Sequence, residues 1–142
     1  MRKRDLKLSK YGIGPKRYAE LRAFCEQYPE WKQFLASETN TVKSKVITDM
    51  PLSRDPMSNA TENLAFRRSV HSCQCDLIER VAKQASEDLY EYIIKSACYE
   101  LPVRYLIMVD NMPCSAATLY DMRRYFFYLL DIEKIKYELW KI

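Results

Sequence analysis

Apolar residues recur at helical spacing over the first part of the chain. Between residues 15 and 28 they fall three or four positions apart on one face, at Tyr18, Leu21, Phe24, Cys25 and Tyr28. This period predicts a helix. Gly12 and Gly14 precede it as loop residues, and Pro15 suits its first turn. Pro29 interrupts the pattern, after which a short second helix is predicted, anchored by Trp31, Phe34 and Leu35.

The periodicity is lost in the middle of the chain. Residues 38–60 carry Pro51 and Pro56 among many Ser, Thr, Asn and Asp residues. Such a composition predicts a linker or a long loop. It separates a basic arm with an N-terminal helical unit, residues 1–37, from a larger helical domain, residues 61–142.

The helical pattern returns at Thr61. A long helix is predicted there, with a narrow stripe at Leu64, His71, Cys75, Ile78 and Ala82. Such a seam often pairs with another helix, in the same chain or in a dimer partner. Ser86 is expected to cap the next helix, and this helix should stop near Glu100, because the residue before Pro102 avoids helical geometry. Its packed face is Leu89, Tyr92, Ile93, Ser96 and Ala97.

Residues 102–130 have the outline of a helix-turn-helix motif. A short helix follows Pro102, residues 111–114 make a tight connection, and Ser115 begins the final long helix. Pro113 stands where such turns often carry glycine. The positions that must be interior are all apolar: Met108, Val109, Met112, Cys114, Leu119, Met122, Phe126, Leu129 and Leu130. The expected fold is therefore an all-α multi-helix bundle with a C-terminal helix-turn-helix.

At the start of the final helix, the residues on the other face are small or polar. Small residues allow close approach to a DNA groove, hydroxyls can bind phosphates or base edges, and a guanidinium can pair with guanine. Arg124 is placed for guanine and Arg123 for the DNA backbone. The candidate DNA-binding residues are Ser115, Ala116, Ala117, Thr118, Tyr120, Asp121, Arg123 and Arg124. A plain helical hairpin in a globular core is the alternative.

Positive charge is concentrated at the N-terminus. Residues 1–24 hold eight Lys/Arg and two Asp/Glu, whereas the chain as a whole has a net charge of +4. A basic segment of this kind commonly contacts nucleic acid, and a solvated tail is the alternative. The candidate DNA-backbone contacts are Arg2, Lys3, Arg4, Lys7, Lys16 and Arg17.

Several other classes of protein are disfavoured. No apolar run approaches the roughly 18 residues of a membrane span, and the N-terminus lacks the apolar core of a signal peptide. Five cysteines without a disulfide-like pattern fit reduced thiols in a cytoplasm. His71, Cys73 and Cys75 invite a zinc hypothesis, but no second ligand pair has standard spacing, so we expect neither metal nor cofactor. No enzyme signature is present.

Two segments carry a family resemblance. "YGIGPKRYAELRAFCEQYPEWKQFL" and "MPCSAATLYDMRRYFFYLLD" resemble small phage and prophage proteins of Firmicutes, grouped with the ArpU and RinA late transcriptional regulators. Their C-terminal part is similar to region 4 of sigma-70 factors. The resemblance covers roughly residues 11–36 and 87–131. It implies a bacterial host cytoplasm, binding to double-stranded DNA and activation of late genes, with host RNA polymerase as a further partner.

The expected function is a sequence-specific phage-type transcription regulator that acts as a homodimer, since a dimer would read two half-sites. Asp121 is unusual for this role, because a carboxylate repels phosphate. It could accept from cytosine or pair with Arg124. One alternative is a protein-binding module that docks on polymerase or another host factor as an adaptor or inhibitor. Another is a small DNA-packaging subunit.

Overall fold

The computed structural model describes residues 11–37 and 56–140, with side chains over 11–37 and 61–138. In these ranges the chain forms helices and turns and contains no strand. The predicted all-α fold is therefore confirmed. The helices are α1 (Pro15–Glu26), α2 (28–37), α3 (Pro56–Ala85), α4 (Tyr90–Ala97), α5 (Val103–Met108) and α6 (Ala116–Trp140).

Helix α1 begins where the glycines and proline predict. Gly12 adopts a left-handed φ of 77°, Gly14 is extended at the N-cap, and Pro15 is the first helical residue. Proline fits there because the first N–H of a helix has no intrahelical acceptor. Leu21 and Cys25 of the predicted apolar face are fully buried.

Helix α3 begins earlier than the sequence pattern indicated. It starts at Pro56, five residues before the expected Thr61. The reason is again that proline is compatible with a first helical turn, so Pro56 opens the helix and does not mark a loop. Residues 38–55 of the expected linker lie outside the described residues.

Helices α4 and α5 end in the same way. Glu100 and Asn111 adopt left-handed φ angles of 56° and 52°. In each case the next residue donates its N–H back into the helix, from Leu101 to the Lys95 carbonyl and from Met112 to the Leu106 carbonyl. Hydrogen bonds of this kind satisfy carbonyls that the helix end leaves without partners.

The chain divides into two compact units. One unit is Tyr28–Leu77, with α2 and the first part of α3. The other joins α1 to the chain from Ile78 onward. In this second unit, α1 packs on α4 and α6.

In the Tyr28–Leu77 unit, His71 lies between aromatic rings. It stacks on Trp31 at a centroid distance of 5.8 Å and meets Phe34 edge-on at 5.1 Å. Its Nδ1 lies 3.2 Å from Gln74 Oε1. His71 is thus part of the helix seam, as its spacing from Cys75 indicated.

In the larger unit, α6 is the element on which the other helices pack. Helices α1, α4 and α5 all contact it. Its buried face carries Leu119, Phe126, Phe127 and Leu130, each at most 1% exposed. A polar contact accompanies this core: Arg17 Nε of α1 donates to Asp131 Oδ1 of α6 at 2.6 Å.

We expect Asp131→Asn to lower the free energy of unfolding by about 1–2 kcal/mol, because Arg17 loses a charged acceptor at a largely covered position. The hydrogen bond to Asp131 raises the pKa of Arg17. Urea unfolding followed by circular dichroism measures the change. The control is Glu138→Gln, which removes an exposed carboxylate 3.7 Å from Arg17 Nη1 and should change stability by less than about 0.5 kcal/mol. Equal losses would contradict a special contribution from Asp131.

Candidate nucleic-acid interface

The N-terminus of α6 is capped by Ser115, as predicted. Ser115 Oγ accepts a hydrogen bond from the Thr118 N–H at 3.3 Å and lies 3.0 Å from Thr118 Oγ1. The Leu119 N–H donates to the Ser115 carbonyl at 3.1 Å. The cap leaves Ser115 and Ala117 exposed, with Ala116 and Thr118 partly covered. A helix start with small and hydroxyl-bearing residues is therefore open to an approaching ligand.

The connection before α6 runs from Val109 to Ser115. It is longer than the four residues expected, because α5 ends at Met108. Asn111 provides the left-handed residue that glycine often supplies in such turns. Pro113 lies two residues after Asn111 and is exposed.

The interior positions of the α5–α6 pair are partly those predicted. Met112, Leu119, Phe126 and Leu130 are buried, and Cys114, Met122 and Leu129 are partly covered. The prediction was wrong for Met108 and Val109, which are 73% and 58% exposed. Helix α5 has only six residues, and its buried side chain is Leu106. Sequence reasoning missed Leu106, because a six-residue helix is too short for its apolar pattern to define a face.

Asp121 and Arg124 form an ion pair on the surface of α6. Arg124 Nη1 lies 2.7 Å from Asp121 Oδ1, and the two residues are one turn apart. The Asp121 side chain is 69% exposed and that of Arg124 is 27% exposed. Pairing with Arg124 is one of the two roles that the sequence left open for Asp121. Tyr120, on the same part of α6, is partly covered.

Arg123 is not placed on this surface, which corrects its expected role at the DNA backbone. Its Nη1 donates to Ser96 Oγ of α4 at 2.5 Å, and its guanidinium lies 5.3 Å from the centre of the Tyr120 ring. Burial lowers the pKa of Arg123, and the charges of Arg22 and Arg124 act in the same direction. Arginine nevertheless remains a cation near neutral pH. Arg123 therefore joins α6 to α4.

The candidate contacts in α1 divide in a similar way. Lys16 is exposed and remains available for a phosphate. Arg17 is held by Asp131 and Glu20, and its expected contact with the DNA backbone stays a prediction. The sequence could not show this partnership, because Asp131 lies 114 positions away. Arg2, Lys3, Arg4 and Lys7 lie outside the described residues.

An apolar surface lies next to this site on α5 and just after it. We call it the α5 surface; its members are Tyr105, Ile107, Met108 and Val109, all more than a third exposed. Arg104 is exposed on the same helix. The neighbouring Asp110 is paired with Lys95 Nζ at 3.0 Å.

Two further features are absent from the part of the chain that the structure describes. No group of three or more His, Cys, Asp or Glu side chains there is arranged to hold a metal ion. Within residues 11–37 and 56–140, no helix has both the length and the apolar character needed to cross a membrane.

Comparison of the chain with protein-family models, with curated proteins and with solved structures found no match.

We expect Ser115→Ala to lower the free energy of unfolding by about 1 kcal/mol, because the Thr118 N–H loses its acceptor. Ser115→Asp is the matched control, since an aspartate can also cap the helix and should keep the stability close to that of the natural chain. Thermal unfolding of the three proteins measures the difference. Equal destabilisation by Ala and Asp would contradict the capping role.

Proposed function

We propose that this protein is a sequence-specific DNA-binding regulator of the phage transcription type, which reads the major groove with the first turns of α6. The observation that carries the proposal is the outward face at the start of this helix. There a Ser115 cap and the exposed Ala117 are followed by Arg124 at the surface. The opposite face of the same turns is buried through Leu119 and Phe126.

The start of α6 suits close approach to DNA. Ala116 and Ala117 project no further than a methyl group, so the helix backbone can lie deep in a groove. The N-terminal end of a helix also carries partial positive charge and N–H groups that favour phosphate. Ser115 and Thr118 already share one hydrogen bond, and their hydroxyls can rotate to donate to an acceptor on DNA.

Arg124 can contact a base with the donors that its pairing with Asp121 does not use. A bidentate contact between arginine and guanine contributes roughly 1–3 kcal/mol of discrimination against the wrong base. Arg123 cannot readily make such a contact, because its guanidinium is held by Ser96 and lies against the Tyr120 ring.

We propose that most of the attraction to DNA phosphates comes from cations that lie outside α6. Lys16 and Arg104 are exposed cations on α1 and α5. The N-terminal arm adds Arg2, Lys3, Arg4 and Lys7 in the sequence. Each phosphate that such a cation neutralises steepens the fall of log affinity with log salt concentration by about 0.9. We propose that the arm supplies affinity and that α6 supplies specificity.

The deciding experiment is selection of duplexes from a random DNA library at moderate salt, followed by sequencing. An enriched motif is the expected result, and two copies at fixed spacing would support the proposed homodimer. Absence of enrichment, with binding that disappears as salt rises, would contradict sequence reading and leave only electrostatic attraction.

We expect Arg124→Ala to weaken binding to the selected duplex by roughly 5- to 150-fold, the range for loss of one bidentate base contact. Binding to a scrambled duplex should fall much less. Fluorescence anisotropy at fixed salt measures both affinities. Arg80→Ala is the matched control, because it removes an exposed guanidinium from α3 and should affect both duplexes equally. Equal loss on both duplexes for Arg124→Ala would contradict base reading by this residue.

A second candidate function is a protein-binding module that docks on host RNA polymerase, and the α5 surface favours it. Exposed Ile107, Met108 and Val109 are consecutive, and apolar patches of this kind often mark protein contacts. Purified bacterial RNA polymerase should then bind the protein without DNA. Met108→Ser should weaken that binding and leave DNA selection unchanged. Unchanged polymerase affinity in the variant would contradict docking through the α5 surface.

A further inference from the structure

We propose that Asp121 is a specificity-determining residue, which restrains Arg124 and repels phosphate so that Arg124 contacts a base and not the DNA backbone. This inference rests on the proposed function. Its basis is the arrangement of the pair: the carboxylate lies 2.7 Å from the guanidinium and is the more exposed of the two groups.

Folding alone gives little reason for a carboxylate at this position. Aspartate is among the weaker helix-forming residues. Asp121 is the sixth residue of α6, beyond the first turn in which a negative charge is favoured by the helix dipole. An exposed pair with Arg124 adds little stability, since solvent screens it. The charge therefore suggests a role in what α6 contacts.

The restrained guanidinium keeps enough donors for a base. An arginine side chain has five N–H groups, and the described contact with Asp121 uses Nη1. The remaining donors can still reach the two acceptors that guanine presents in the major groove. Because the pair fixes the guanidinium before binding, less conformational freedom is lost when the base contact forms.

The same carboxylate disfavours contact with phosphate. An unpaired arginine on a groove-facing helix would pair with phosphates on any sequence, because that attraction carries no sequence information. Asp121 neutralises Arg124 and presents its own negative charge further into solvent. Repulsion between like charges at close range lowers the affinity for a wrong partner, which here is the phosphate backbone. Removing the carboxylate should therefore strengthen non-specific binding.

The test compares the natural chain with Asp121→Asn and Glu133→Gln. Both substitutions remove one negative charge from α6 and keep the size of the side chain. Glu133 is paired with Arg80 and Lys136 and lies twelve residues further along the helix. It therefore controls for the change in net charge. Fluorescence anisotropy measures the dissociation constants for the selected duplex and for a scrambled duplex at several salt concentrations.

The expected result is specific to Asp121→Asn. The affinity of the Asp121→Asn protein for the scrambled duplex should rise. Its log affinity should also fall more steeply with log salt concentration, by about 0.9, because Arg124 then neutralises a phosphate. The ratio of the two dissociation constants should fall by roughly fivefold, near the low end of what one base contact contributes. Glu133→Gln should leave the ratio unchanged. Repeated library selection with Asp121→Asn should give the same motif with weaker preferences.

Three results would overturn the inference. An unchanged ratio for Asp121→Asn, with the natural chain still selecting a motif, would remove the role of Asp121 and leave the proposed function intact. If the motif selected by Asp121→Asn differed from the natural one at a single base pair, Asp121 would contact that base directly. No motif selected by the natural chain would overturn both the proposed function and this inference.

Discussion

The buried face of α6 is the constraint on which the larger unit depends. Leu119, Phe126, Phe127 and Leu130 fix the rotation of this helix about its axis, since each must be covered by α1, α4 or α5. Removing such side chains from water supplies the main stabilisation of the unit. Two polar contacts refine the position: Arg123 with Ser96 of α4, and Arg17 with Asp131.

The rotation of α6 decides which polar residues can serve as a site. Arg123 and Arg124 are adjacent in the chain, but consecutive residues of a helix point about 100° apart. Once Phe126 and Phe127 are buried, Arg123 is directed towards α4 and Arg124 towards the surface beside Asp121. Two similar arginines thus acquire different surroundings: Arg123 joins two helices, and Arg124 is paired with Asp121 at the surface.

The periodic parts of the fold could be predicted from sequence, and the contacts between distant residues could not. The faces of α1 and α6 followed from apolar spacing, and the Ser115 cap from residue type. The exposure of Met108 and Val109 was missed, because a six-residue helix is too short for its pattern to define a face. The contacts of Arg17 with Asp131 and of Arg123 with Ser96 could not be predicted, because each pair is far apart in the chain. The link of Asp121 to Arg124 was predictable, since the helix itself sets that spacing.

The length of α6 also has a mechanical consequence. This helix is continuous from Ala116 to Trp140, which corresponds to about 37 Å at 1.5 Å per residue. Asp131, near its middle, is anchored to Arg17, whereas Asp121 lies about 15 Å towards the N-terminus. Leu119, fully buried near the N-terminus, holds the same helix at a second level. The candidate interface at Ser115 and the contact with α1 therefore lie on one continuous rod, and the distance between them is set by the helix itself.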